Sequence, residues 1–131
     1  MPKPNFLSPS PNIRKLPVTE RNLWFLERSI PLYDILDFFP PDALGPPNFG
    51  KKLASNRRGT PLTIETDLGW SFTTDIASDQ KIFRNSSRQR GTGRWVKEAQ
   101  LKPGDYIVIE KLSPYHYRLS KESNNKAKLD E

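Results

Sequence analysis

The chain has no cysteine, and only one histidine and one methionine. The absence of cysteine excludes disulfides, thiolate nucleophiles and the common structural zinc sites, and it fits a reducing compartment. The single histidine, His116, falls on the polar side of the alternating run "SPYHYRLS", where a lone imidazole is ordinarily a surface group. The sequence contains no nucleophile elbow, no P-loop and no glycine-rich dinucleotide fingerprint. No catalytic residue, metal or cofactor is therefore assigned. No apolar segment approaches the ~20 residues of a membrane span. The opening "MPKPNFLSPSPNI" lacks the basic region and apolar run of a signal peptide. A soluble, cytoplasmic protein is the expectation, with no membrane partner.

Apolar residues are few, 34% of the 131, yet a chain of this length is expected to be one domain with a real core. Acid is the scarcer charge. Lys plus Arg number 21 against 15 Asp plus Glu, giving a net charge of +6 and a pI near 9.7. That balance is a footprint of nucleic-acid binding. The charge is also segregated. "KKLASNRR" (51–58) and "KIFRNSSRQRGTGRW" (81–95) carry no acid, whereas Asp34, Asp37 and Asp42, then Glu65, Asp67, Asp75 and Asp79, form acidic stretches. A solvated face usually mixes signs. A phosphate-binding face does not, because a nearby carboxylate repels the phosphate.

The 81–95 stretch also has suitable chemistry. Lys81, Arg84, Arg88, Arg90 and Arg94 supply cations. Arg, Asn and Gln make paired hydrogen bonds to purine edges, so Arg84, Asn85, Arg88, Gln89 and Arg90 can read bases. Ser86, Ser87 and Thr92 suit phosphate oxygens. Two other readings stay open. One is a small Mg²⁺-dependent nuclease using Asp42, Asp79 and Lys81. The other is a basic β module for RNA or an acidic protein.

Ten of the 13 prolines lie in the first 47 residues, which argues against a regular central sheet there. Residues 1–12 are expected to be a flexible, proline-rich arm. "RNLWFLERSIPL" (21–32) is expected to enter the core as a strand, and "YDILDFF" (33–39) to form a short helix stopped by Pro40 and Pro41. From residue 61 the period becomes two. "PLTIETD" and "WSFTTDI", joined by "DLG", predict a hairpin with Trp70, Phe72, Thr74 and Ile76 on one face and Ser71, Thr73 and Asp75 on the other. "QKIFR" (80–84) predicts a third strand and "GRWVKEAQ" (93–100) a helix. "LKPGD" is a turn, and "YIVIEKL" (106–112) reads as a central strand because it is apolar on both faces. The last alternation places Tyr115, Tyr117 and Leu119 inward. Residues 121–131 form a polar tail. Trp70, Phe72, Trp95, Phe83 and Phe38 are the expected core aromatics. Short strands, regular turns and two small helices predict a mainly β open barrel-like domain.

Two ordered units resemble a known family. "SIPLYDILDFFP" (29–40) has an Ile-Pro strand end, a short helix and Phe-Pro. "GRWVKEAQLKPGDYIVIEK" (93–111) has an aromatic-bearing helix, Leu-x-x-Gly-Asp and an apolar strand. With the hairpin between them, residues 13–120 resemble the plant-type B-three DNA-binding domain and its bacterial relatives, the specificity domains of certain type II restriction endonucleases. The resemblance implies a seven-stranded open pseudobarrel with two short helices. It implies double-stranded DNA as partner, gripped in the major groove by two arms. The N-terminal arm would include Arg21, Asn22 and Trp24, with Glu27 and Arg28 beside them. The C-terminal arm would be the 81–95 stretch. The resemblance further implies a non-catalytic, cofactor-free, monomeric domain beside a nuclease domain or subunit, in a bacterial cytoplasm and on the nucleoid when DNA-bound. The segment "PPDALGPPNFGKKLASNRRG" is an insert relative to the plant domains, and the arm is longer and richer in Arg.

Overall fold

The computed structural model describes residues 6–46 and 59–123. The basic segment 51–58 lies outside the described residues, as do residues 1–5 and 124–131. Among the described residues the chain is mainly β, with nine strands in two sheets that do not close into a barrel. The expected open, mainly β architecture is correct, with nine strands where seven were expected; three of the nine are only two residues long. The larger sheet contains β1 (Leu7–Ser10), β2 (Ile13–Pro17), β4 (Leu62–Thr66), β5 (Ser71–Thr74), β8 (Tyr106–Ser113) and β9 (His116–Glu122), in the order β1-β2-β8-β9-β4-β5. The smaller contains β3 (Leu44–Gly45), β6 (Ile76–Ala77) and β7 (Ile82–Phe83), in the order β3-β6-β7.

β8 is central, as its β-branched run predicts. It pairs antiparallel with β2 and β9, and Ile107 and Ile109 point into the core. The expected hairpin of β4 and β5 forms, with Ile64 opposite Phe72. β9 returns parallel to β4, Tyr117 opposite Ile64. Between the sheets lie Trp95, Tyr117, Phe83, Leu16, Ile30 and Leu32, all nearly inaccessible. Phe38, Phe39, Phe83 and Tyr117 meet edge-on or tilted at centroid distances of 4.9–5.7 Å, the geometry aromatic quadrupoles favour.

α2 (Thr92–Ala99) is the expected helix, and its buried side is Thr92, Trp95, Val96 and Ala99. Trp95 donates its indole N–H to Asp67 Oδ1 at 2.8 Å, so the largest core side chain has no unpaired polar atom. Lys121 Nζ donates to the Ala99 carbonyl at 3.0 Å, placing a cation at the helix C-terminus, where the dipole favours it.

Several expectations are corrected. Residues 7–10 of the expected flexible arm are strand β1, and Phe6 packs against the core. The 21–32 run is not a strand. Leu23–Leu26 form a single helical turn, α1. Thr19 and Asn22 bond reciprocally, Thr19 N–H to Asn22 Oδ1 at 2.8 Å and Asn22 N–H to Thr19 Oγ1 at 3.1 Å, which turns the chain before it can extend. The strand character that survives is one bridge, Pro31 to Ile82. The 33–39 helix shrinks to a 3₁₀ turn at Leu36–Phe38, and Pro41 starts a second at Pro41–Ala43. Tyr115 is 40% exposed in the β8–β9 connection, not inward. Its hydroxyl donates to the Asp42 carboxylate, 2.9 and 3.0 Å from the two oxygens, and that bond raises its pKa above the ordinary value. Residues 121 and 122 belong to β9 rather than to a tail.

Tyr117 is fully buried and donates to the Phe38 carbonyl at 3.0 Å. Burial pushes its phenol from 10.0 up to about 12. The folded state therefore holds this proton more tightly than the unfolded chain. The resulting stability is whole below pH 10 and is lost as pH rises toward 12. Tyr117→Phe should lower stability near neutrality by about 1 kcal/mol, for the lost hydrogen bond. It should also flatten the alkaline decline. Urea midpoints measured on both sides of the tyrosine range check this. An equally steep alkaline decline in the variant would show that other groups cause it.

Candidate nucleic-acid interface

The 84–91 loop is fastened at its base by a buried ion pair. Asp75, expected on the solvent face of its strand, is 3% exposed. The alternation fails there because the chain leaves β5 at Thr74 and enters the second sheet at Ile76. Arg84 Nε donates to Asp75 Oδ1 at 2.6 Å and Nη2 to Oδ2 at 3.1 Å, with side chains 6% and 2% exposed. The same groups hold two points within the insert: Gly59 N–H donates to Asp75 Oδ2 at 2.7 Å, and Arg84 Nη2 donates to the Pro46 carbonyl at 2.7 Å. Arg84 N–H reaches the Asp75 carbonyl at 2.8 Å, and Asn85 N–H the Thr74 hydroxyl at 2.8 Å. Arg84 is therefore a structural cation and not a base reader.

Beyond this anchor the loop folds against α2. The Asn85 carbonyl accepts from Thr92 N–H at 3.1 Å, and the Ser87 carbonyl accepts from Gly91 N–H and Arg94 N–H, both at 3.0 Å. Ser87 Oγ accepts from Gln89 N–H at 3.0 Å. Gly91 and Gly93 are required by contact. A Cβ on Gly91 would collide with the Asn85 carbonyl, and one on Gly93 would sit 2.6 Å from the Ser86 carbonyl oxygen. The glycines thus let the loop lie on the first turn of α2, which leaves Arg88, Gln89 and Arg90 exposed at its tip.

The other expected contacts divide. Thr92 is fully buried and its hydroxyl does not reach the surface. Asn22 spends its side chain on Thr19 and on the Pro17 carbonyl, 2.9 Å away. Lys81 occupies a left-handed turn (φ 55°) and donates to the Ser78 carbonyl at 3.2 Å. Arg94 lies over the Trp70 ring at 4.1 Å and pairs with Glu98 at 2.9 Å. Trp70, expected in the core, is half-buried and donates its indole N–H to Glu98 at 3.0 Å. The Arg94 hydrogen bond, aided by that of Trp70, holds the Glu98 carboxyl below its ordinary pKa. Ser86 and Ser87 are half-buried. Arg21, Arg28 and Trp24 are exposed, Trp24 to 58%.

Residues from both expected arms line one cleft. A cleft of ≈ 340 Å³ is lined by Leu23 and Glu27 of the α1 region, Arg88 of the loop, and Val96, Lys97 and Gln100 along α2. Charge segregation did not single out Lys97 or Gln100. Their available signal was helical spacing, three residues apart on the side of α2 away from Trp95. Asp42, the first carboxylate of the nuclease reading, is held by Tyr115 and by Thr60 Oγ1 at 3.0 Å. No helix among the described residues is long and apolar enough to cross a membrane.

No family model matches the chain, and no curated protein matches it. Its fold is shared. The N-terminal domain of Helicobacter pylori LlaJI.R1 is similar over 90% of this chain and 95% of its own, with 11% identity and a TM-score of 0.51. A hypothetical protein of Arabidopsis thaliana is similar over 95% of this chain and 98% of its own, with 16% identity and a TM-score of 0.48.

Removing the Asp75 carboxylate leaves Arg84 buried and uncompensated. Asp75→Ala should cost about 3–5 kcal/mol in urea unfolding. Arg88→Ala, at the exposed tip, should stay within about 0.5 kcal/mol. A loss below 1 kcal/mol for Asp75→Ala would mean that the pair does not anchor the loop.

Proposed function

We propose that the chain is a double-stranded DNA-binding domain that reads sequence in the major groove with two arms. The observation that carries this reading is the shared cleft: α1 and the 84–91 loop, far apart in sequence, line it together. A flexible basic loop would need no such anchoring. This loop is tied down by an ion pair and a run of backbone hydrogen bonds, yet its tip keeps Arg88, Gln89 and Arg90 in solvent. Pre-ordering lowers the entropy lost on binding. The side chains at the tip are those that bond guanine and adenine edges. Arg21 and Arg28, flanking α1, supply phosphate contacts on the other side, and Trp24 offers an apolar face for a sugar or base. The fold likeness to the LlaJI.R1 domain is compatible with the B-three-like pattern. In this reading the chain binds and does not cleave. Bond breaking belongs to a nuclease domain or subunit beside it.

With about five phosphate contacts, log K should fall with log salt at a slope of about −4 to −5. Arg88→Ala and Arg90→Ala should each weaken duplex binding by roughly 1–3 kcal/mol where they touch a base. Fluorescence anisotropy with a selected duplex at several salt concentrations reads both quantities. A flat salt response, or binding by both variants equal to the wild type's, would refute the reading. Tighter binding to RNA or to an acidic polypeptide at the same salt would favour the basic-module alternative.

A further inference from the structure

One feature of the cleft does not fit simple phosphate attraction. Glu27, an acid, lines it together with the cations Arg88 and Lys97. Glu27 and Arg88 are exposed, and neither forms an ion pair within the described part of the chain. A free carboxylate on a DNA-facing surface repels phosphate. It gains only where a donor meets it, and in the major groove the donors are the exocyclic amines of cytosine (N4) and adenine (N6). Arg88, which lines the same cleft, decides between them. An arginine bonds guanine O6 and N7, and guanine is the partner of cytosine, not of adenine.

We propose that Glu27 and Arg88 together read one G·C base pair, Arg88 donating to guanine O6 and N7 and Glu27 accepting from cytosine N4. This rests on the DNA-binding reading above and adds a named base pair to it. Each side chain comes from a different arm, so the pair is recognised only when both arms occupy the same groove. Glu27 also acts by exclusion. Over a thymine it would face the O4 acceptor, and over a guanine the O6 and N7 acceptors, both repulsive. Its charge weakens non-specific binding while sharpening specific binding.

The test is selection of bound duplexes from a random pool with the wild-type chain, Glu27→Gln, Glu27→Ala and Arg88→Ala, followed by affinity measurement on single-substitution duplexes. Glu27 is exposed, and thermal melting of each variant confirms that it is folded. The expected result is one G·C position, preferred about ten- to hundredfold by the wild type, whose preference is lost in both Glu27→Ala and Arg88→Ala. Glu27→Ala should bind unselected duplex as well as the wild type or better. Glu27→Gln, which keeps an acceptor but gains a donor, should tolerate a changed base there. Retention of every preference by Glu27→Ala would overturn the inference while leaving DNA binding intact. So would loss of preference at different base pairs in the two alanine variants. A wild-type chain that binds no duplex would overturn the DNA-binding reading, and this inference with it.

Discussion

The Asp75–Arg84 pair sets the geometry of the candidate interface. A buried carboxylate and a buried guanidinium are each costly out of water, and they are tolerable together only when their hydrogen bonds are well directed. Here the carboxylate accepts from two guanidinium nitrogens and from Gly59 N–H, while the guanidinium also reaches the Pro46 carbonyl. Four segments are thereby tied to one point: the exit of β5, the start of the basic loop, and the insert at Pro46 and at Gly59. Because removing either partner leaves a bare buried charge, the point is hard to move. Such a pair contributes little net stability compared with an apolar substitute, but it specifies which segments meet.

From that point the loop is propagated by backbone contacts to the first turn of α2, which Trp95 fixes to the core. On the other wall, Leu26 of α1 is buried in the same core, and Ile30 and Leu32 follow it inward. Both sides of the cleft are thus mounted on one hydrophobic cluster rather than on independent flexible tips. In the proposed function such mounting favours discrimination between bases, since a misplaced hydrogen-bond donor costs nearly as much as a missing one. Arg94, stacked on Trp70 and paired with Glu98, has its charge offset by that carboxylate.

Much of the fold was legible in the sequence, and the reasons are local. The β4–β5 hairpin followed from strict alternation, β8 from its β-branched run, and α2 from its helix formers. α1 was not legible: "LWFL" is equally apolar as a strand or a helical turn, and the reciprocal Thr19–Asn22 bonds decide it. The site was legible in outline only. Charge segregation found the loop but could not tell a buried cation from an exposed one. Arg84 and Arg88 look alike in a composition, yet one is spent on Asp75, nine residues back, and the other stands in the cleft. Asp75 itself was read as a surface residue because a period of two assumes that the strand continues. The change of sheet after Thr74 breaks that assumption, and no local pattern announces it. Thr92 was misread for a similar reason, since its helix packs that side inward.

In the proposed function, α1 and the 84–91 loop act as two jaws of one DNA-binding surface. The most direct measurement is residue-resolved amide mapping by NMR of the folded chain during titration with a selected duplex. Amides of residues 21–28 and 86–90 should shift together with one affinity, while those of the β8–β9 connection around Tyr115 should stay unmoved. Shifts confined to one jaw, or centred on the β8–β9 connection, would contradict it.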